Sequence, residues 1–178
     1  MRFSHKINDQ GFTLVELLIV VAILGIIVSI ATPSFRDTLR ANDMTAQSTA
    51  ISALNRFARS RAMTLNEPVN ISTLDGGLNW QNNELIVWED LNNDGALDIN
   101  TEVLRRLQTS AGIEMRFDFP GGGLNSYTYS PLGTIDFPVL ANGQIRFDMC
   151  DDRFREEGRR YTILASGISV MDENPCPP

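Results

Sequence analysis

The stretch Gly11-Phe12-Thr13-Leu14-Val15-Glu16-Leu17-Leu18-Ile19-Val20-Val21-Ala22-Ile23-Leu24-Gly25-Ile26-Ile27-Val28-Ser29-Ile30-Ala31 decides the fold of this chain. From Phe12 onward it is about twenty residues long with a single charge, Glu16. At about 1.5 Å of rise per residue, such a run spans roughly 30 Å as a helix, the thickness of a bilayer's hydrocarbon. Ahead of it, residues 1–11 are polar and carry Arg2 and Lys6. Cationic residues before the apolar run hold the N-terminus on the cytoplasmic side and send the remainder outward.

Three readings compete for the segment. A secretory signal would be cut after Ala31, with Ser29 three positions back, but its apolar stretch is long, contains a carboxylate and is followed closely by Pro33. A plain membrane anchor accounts for the length and leaves Glu16 without a reason. A carboxylate drawn toward the middle of a bilayer costs about 2–3 kcal/mol, so it calls for a partner. The third reading rests on spacing. Gly11-Phe12-Thr13-Leu14-Val15-Glu16 resembles the signal of type IV prepilins and pseudopilins, Gly-Phe-Thr-Leu-x-Glu, placed at the mouth of the apolar run.

That resemblance implies a set of roles. A prepilin peptidase would cut between Gly11 and Phe12 and methylate the new amine of Phe12. Glu16 would pair with the mature N-terminal amine of a neighbouring subunit, because a charge buried among apolar helices persists only when compensated. Residues 1–11 are then a leader, about 12–32 the transmembrane part, and 12–66 one helix. The region 67–178 becomes a periplasmic head on a single-pass inner-membrane protein.

Downstream, Phe35, Leu39, Ile51, Leu54, Ala58, Ala62 and Leu65 recur mostly at three- and four-residue steps, an amphipathic stripe ending near Asn66 and Pro68. Pro33 is expected to bend or loosen the helix. The stripe's C-terminal half is expected to pack on the head, with Arg36, Arg40, Arg56, Arg59 and Arg61 solvated on other faces. Short alternating or β-branched runs lie at 69–73, 85–89, 113–119, 126–130, 144–149, 160–165 and 168–171. They are separated by turn residues such as Asp75-Gly76-Gly77, Gly121–Gly123, Asn142-Gly143 and Ser166-Gly167. The fold class is α+β: a long N-terminal helix, half membrane-embedded and half amphipathic, packed on an antiparallel β-sheet head.

Composition limits the chemistry. Lys6 is the only lysine and His5 the only histidine, both ahead of the proposed cut. A mature chain without them has no imidazole for acid–base work and no amine for Schiff-base formation, so no enzymatic activity is expected. From residue 67 on, 18 acidic residues face 8 arginines, a net of −10.

The stretch Trp80 … Glu84-Leu-Ile-Val-Trp88-Glu-Asp90-Leu-Asn92-Asn-Asp94-Gly95 … Glu102-Val-Leu104-Arg105 resembles heads of the FimT/GspH class of minor pilins and pseudopilins. Phe147-Asp-Met-Cys150 and the closing Cys176 extend the likeness. The resemblance implies a subunit at or near the filament tip that helps start assembly. Its partners would be other pilin subunits, the peptidase and the inner membrane. Ala31-Thr32-Pro33-Ser34-Phe35 resembles type IV pilus members more than secretion-system ones. A minor pseudopilin of a type II secretion system is the alternative.

Three further expectations concern the head. In an oxidising periplasm Cys150 and Cys176 should pair, closing a loop of about 27 residues as in the C-terminal loop of pilins. Asp90, Asn92, Asp94 and Asp98, with Gly95 sixth, match the first half of a calcium loop; its twelfth position is Thr101, and Glu102 falls one residue late. A tight surface turn uses the same residues, so both readings stay open, and no other cofactor is expected. A DNA-uptake receptor is the reading from another class. Its basic Gly-Arg-x-Arg signature is replaced here by Gly167-Ile168-Ser169-Val170. The cluster Arg153, Arg155, Arg159 and Arg160 is interleaved with Asp151, Asp152, Glu156 and Glu157, so nucleic acid is not an expected partner.

Overall fold

The computed structural model describes residues 12–77, 80, 83–110, 112–118, 124–136, 143–151 and 157–176. Helix α1 covers Leu14–Leu65 and is continuous through position 33. It stops where the sequence provides a stop: Asn66 takes a left-handed φ of 59° and Pro68 follows. Asparagine tolerates that conformation at a helix end, and proline cannot extend the helix.

The chain divides into two compact units, Met1–Arg40 and Ala41–Pro178. In the first, Phe12, just ahead of α1, is 86% exposed, and the described apolar residues of α1 are exposed as well, Phe35 at 65% and Leu39 at 47%. Phe35 and Leu39 belong to the N-terminal part of the stripe, which was not expected to pack on the head. In the second unit the stripe holds: Ile51, Leu54, Ala58 and Ala62 are buried at helical steps, joined by Met44, Gln47, Ser48 and Asn55. Ala58 and Ala62 are fully buried. Methyl-sized side chains there let the helix backbone approach the sheet closely.

The head is two antiparallel sheets rather than one. The first sheet has the order β3-β2-β1-β5-β6: β3 Val103–Gln108, β2 Glu84–Trp88, β1 Val69–Thr73, β5 Ser126–Tyr129 and β6 Ile135–Asp136. The second has the order β4-β7-β8-β9: β4 Glu114–Asp118, β7 Gln144–Cys150, β8 Glu157–Leu164 and β9 Ser169–Pro175. All seven expected runs are strands, and β3 and β6 are additional. Gly143, from the expected Asn142-Gly143 turn, has a φ of 62°; Asn142 and Gly121–Gly123 lie outside the described residues.

Alternation puts one face of each sheet into a common core. Val69, Ile71, Leu85, Val87, Tyr127 and Tyr129 come from the first sheet; Ile145, Phe147, Met149, Tyr161 and Ile163 come from the second. They cluster with Met44, Ile51 and Leu54 of α1. Full burial of each such aliphatic side chain contributes about 1.5–3 kcal/mol. Among the buried polar residues, Asn55 ties the helix to the first sheet. The Asn55 side-chain oxygen accepts hydrogen bonds from the Tyr127 hydroxyl at 2.7 Å and the Tyr129 hydroxyl at 3.1 Å, tying α1 to β5.

Candidate functional site

The N-terminal end of α1 is closed by its own residues. The Thr13 amide and hydroxyl each donate to Glu16 Oε2 at 2.9 Å, and the Glu16 amide donates back to Thr13 Oγ1 at 3.3 Å. This is a capping box, in which an N-cap hydroxyl and a carboxylate three residues on satisfy backbone donors reciprocally. Thr13 was not singled out from the sequence, although the Thr-x-x-Glu spacing carries that signature. Phe12 is described and exposed; Gly11, the other half of the expected cleavage pair, lies outside the described residues. By length and composition α1 can cross a membrane.

Cys150, ending β7, and Cys176, after β9, form a disulfide with Cα atoms 5.8 Å apart. The bond ties the chain's last described residue to a central strand of its sheet. Closing a loop of this length contributes about 3–4 kcal/mol on a chain-entropy account.

The Asp/Asn loop between β2 and β3 is organised by its own acceptors. Asp90 accepts from the amides of Asp94 and Gly95 at 3.2 and 2.9 Å, Asn92 from Asp94 at 3.0 Å, and Asp94 from Ala96 at 2.8 Å. The Asn100 amide, and after it the Thr101 hydroxyl, hold the Asp98 carboxyl below the ordinary aspartate range. Glu102 is 1% exposed and spans the loop: one oxygen accepts from the Leu91 amide at 3.1 Å, the other from the Asp98 amide at 2.8 Å. Among the described residues no three His, Cys, Asp or Glu side chains converge as metal ligands. A groove of about 570 Å³ beside this loop is lined by Trp88, Leu91 and the carboxylate residues Glu67, Glu89 and Asp90.

The helix arginines are not all solvated, as the sequence reading had them. Arg59 donates from Nε to the Gly133 carbonyl at 2.8 Å and from Nη2 to the Ser166 carbonyl at 3.3 Å, holding a turn from each sheet. Arg61 pairs with Glu89 at 3.3 Å. The late arginines are also compensated differently. Arg160 grips Asp148 of β7 through two bonds of 2.7 and 2.8 Å, and Arg159 meets Glu173 of β9 at 3.0 Å. Their partners lie on neighbouring strands, because the register sets Asp148 of β7 opposite Arg160 and Glu173 of β9 opposite Arg159. Arg153, Arg155, Asp152 and Glu156 lie outside the described residues.

The family described as Type II transport protein GspH matches residues 47–167. The chain belongs to this family. The prokaryotic N-terminal methylation motif matches residues 6–32 of this GspH-family chain, across the segment that opens α1. Two curated relatives from Pseudomonas aeruginosa, each described as a fimbrial protein, are 41% identical to it over 65 residues. That match covers 36% of this chain and 42% of each relative, so the chain spans less than half the length of the relatives it matches. Among solved structures, the type IV minor pilin FimU of Pseudomonas aeruginosa superposes with a TM-score of 0.56 at 18% identity, covering 75% of this chain and 90% of FimU. The minor pseudopilin EpsH of the Vibrio cholerae type 2 secretion system gives 0.52 at 10% identity, covering 74% and 97%. At these identities both show a shared fold: one long helix with antiparallel sheets.

Proposed function

We propose that this chain is a minor pilin, a structural rather than catalytic subunit, cut between Gly11 and Phe12, methylated on Phe12 and built into a type IV pilus at or near its tip. The observation carrying the reading is the pairing of a methylation motif at residues 6–32 with a helix whose described apolar residues from Leu14 to Ile30 are all exposed. Unaided, such a surface is not tolerated in water; lipid covers it before assembly and other filament helices cover it afterwards. The N-terminus faces the cytoplasm and the head the periplasm, where the Cys150–Cys176 bond forms. The fimbrial relatives and the Ala31–Phe35 sequence favour a pilus over a type II secretion pseudopilus, where the same subunit would be a minor pseudopilin. The Asp/Asn loop works as a self-contained turn, because Glu102 spends both oxygens on loop amides.

Mass spectrometry of the chain from producing cells tests the processing. The expected mature N-terminus is methylated Phe12; an N-terminus at Thr32 would establish an ordinary signal peptide instead. Deletion of the gene should reduce piliation, and tagged protein should be recovered with sheared filaments. Loss of secretion with intact pili would move the chain to a pseudopilus.

A further inference from the structure

The groove of about 570 Å³ beside the β2–β3 loop has apolar walls from Leu65 at the end of α1, Trp88 of β2 and Leu91 of the loop. Its charged lining is three carboxylates, Glu67, Glu89 and Asp90. Arg61 meets Glu89 at 3.3 Å, but as an ion pair without a hydrogen bond. Glu89 is 8% exposed, and its Oε1 and the Arg61 Nε are both buried with no hydrogen-bond partner. A buried carboxylate left this way is stabilised by a further donor. Glu67 has no hydrogen-bond or ion-pair partner among the described residues. The Trp88 indole donates to Ser72 Oγ at 3.1 Å, so it brings no donor to the groove. Beyond the groove the same loop presents Leu91 at 64% and Ile99 at 45% exposure. Leu91 is fixed there by the bond from its amide to the buried Glu102.

We infer that this groove receives an arginine side chain of a neighbouring protein subunit. Three carboxylates beside apolar walls select a cation carried on a hydrophobic stem. The carboxylates do not converge: among the described residues no three His, Cys, Asp or Glu side chains could hold a metal ion. Acceptors set apart serve a point charge poorly, whereas the five donors of a planar guanidinium reach several at once. The volume lies within the roughly 300–1,000 Å³ of sites that enclose a guest. Leu91 and Ile99 continue the apolar surface past the groove, which a free amino acid leaves wet and a protein surface covers. Arginine seated in a pocket and ringed by apolar contacts is a common form of the residue that dominates an interface. The head's net charge of −10 over residues 67–178 draws in a basic partner. The occupant as a filament neighbour rests on the minor-pilin reading; the arginine preference of the groove does not.

The test uses the full chain in detergent micelles, with acetyl-arginine amide as the probe against acetyl-lysine amide at constant ionic strength. Backbone amide signals of Leu91, Asn93 and Gly95 should shift saturably, and at lower concentration with the arginine compound. Glu67→Gln should weaken that response about three- to fivefold, the upper part of the range for an exposed ion pair. The variant should keep the fold, since Glu67 is exposed and holds no partner. Asp136→Asn, at an exposed carboxylate of β6 outside the groove, should leave the response unchanged. A linear shift, an equal response to the lysine compound, or a response that Glu67→Gln leaves intact overturns the proposal. In cells, Glu67→Arg should cut recovery in sheared filaments at least about tenfold, with the disulfide and melting temperature retained. Normal recovery of Glu67→Arg overturns the neighbouring-subunit assignment. Absence of the wild-type chain from filaments overturns the minor-pilin reading instead, and the titration still decides the groove.

Discussion

Gly167 lies against Gly133 so closely that a β-carbon on Gly167 would collide with the Gly133 carbonyl oxygen, the same oxygen that accepts from Arg59 Nε at 2.8 Å. Gly167 also has a φ of 74°, where side chains are strained. Two turns, one from each sheet, meet here under a helix arginine. Gly167→Ala should cost more than about 3 kcal/mol, combining left-handed strain with a backbone clash that no side chain can relieve. Gly143→Ala is the control: its φ is 62°, but the nearest atom to an added β-carbon is 3.9 Å away. It should cost only about 1–2 kcal/mol. Thermal unfolding of the two variants in detergent checks the ranking; equal effects would mean the turns do not lock the sheets.

Asn55→Ala removes the common acceptor of Tyr127 and Tyr129 and strands two buried hydroxyls. The expected loss is about 2–4 kcal/mol, more than a methyl-for-amide change on an exposed helix face would give. Combining Asn55→Ala with Tyr127→Phe and Tyr129→Phe should recover much of that loss, because no hydroxyl is then left unpaired. If the triple variant is less stable than Asn55→Ala alone, the hydrogen bonds are not the reason for the effect.

Burial pushes all three tyrosines of the chain up, and Tyr127 lies well above the ordinary phenol. The unfolded chain releases these protons near pH 10 and the native chain does not. Their contribution to stability is therefore whole below about pH 10 and declines above it, by up to about 1.4 kcal/mol per pH unit for each tyrosine. Tyrosinate absorbance should stay absent past pH 10 and then rise together with unfolding. A gradual rise centred near pH 10 in the folded protein would refute the burial of these rings.

Several features were legible in the sequence because their causes are local. The apolar run, the Asn66 stop, seven strands and the cysteine pair each rest on composition or short spacing. Strand β3 was not, since an edge strand with Arg105 and Arg106 exposed at its centre shows no alternation. Strand β6 is two residues held by its pairing to Thr128 and Tyr129, too short for any pattern. The clasp of Arg59 joins residues 74 and 107 positions apart, and its glycines look like ordinary turn residues until the turns meet. The partners of Arg159 and Arg160 were misplaced for a similar reason: sequence adjacency suggested loop neighbours, while strand pairing supplies β7 and β9.

For the Asp/Asn loop, Glu102 is the decisive side chain. Glu102→Ala leaves the Leu91 and Asp98 amides without acceptors and should cost about 2–3 kcal/mol, the penalty for breaking hydrogen bonds to a buried charged group. Calcium at millimolar concentration and a chelator should give the same melting temperature in the wild type. A rise of several degrees with calcium, abolished by Asp94→Ala, would instead make the loop a metal site with Asp90, Asn92, Asp94 and Asp98 as ligands.

Glu16 caps its own helix, the proposed function gives it a second job, and glutamine tells the two apart. As the third residue of a capping box it accepts from Thr13, and glutamine can do the same. As the partner of a neighbouring subunit's amine it must be charged, and glutamine cannot replace it. Glu16→Ala loses both roles, Glu16→Gln only the second, and Thr13→Ala chiefly the first. Membrane insertion should survive all three changes, since each leaves the apolar run intact and two remove a charge that resists desolvation. Recovery in filaments should fall about equally for Glu16→Ala and Glu16→Gln, by tenfold or more if the pair contributes at least about 1.4 kcal/mol to docking. Thr13→Ala should lose far less, because exposed caps contribute only about 1 kcal/mol to a helix this long. Filament recovery of Glu16→Gln at the wild-type level, with Glu16→Ala deficient, would make Glu16 a helix cap and nothing more.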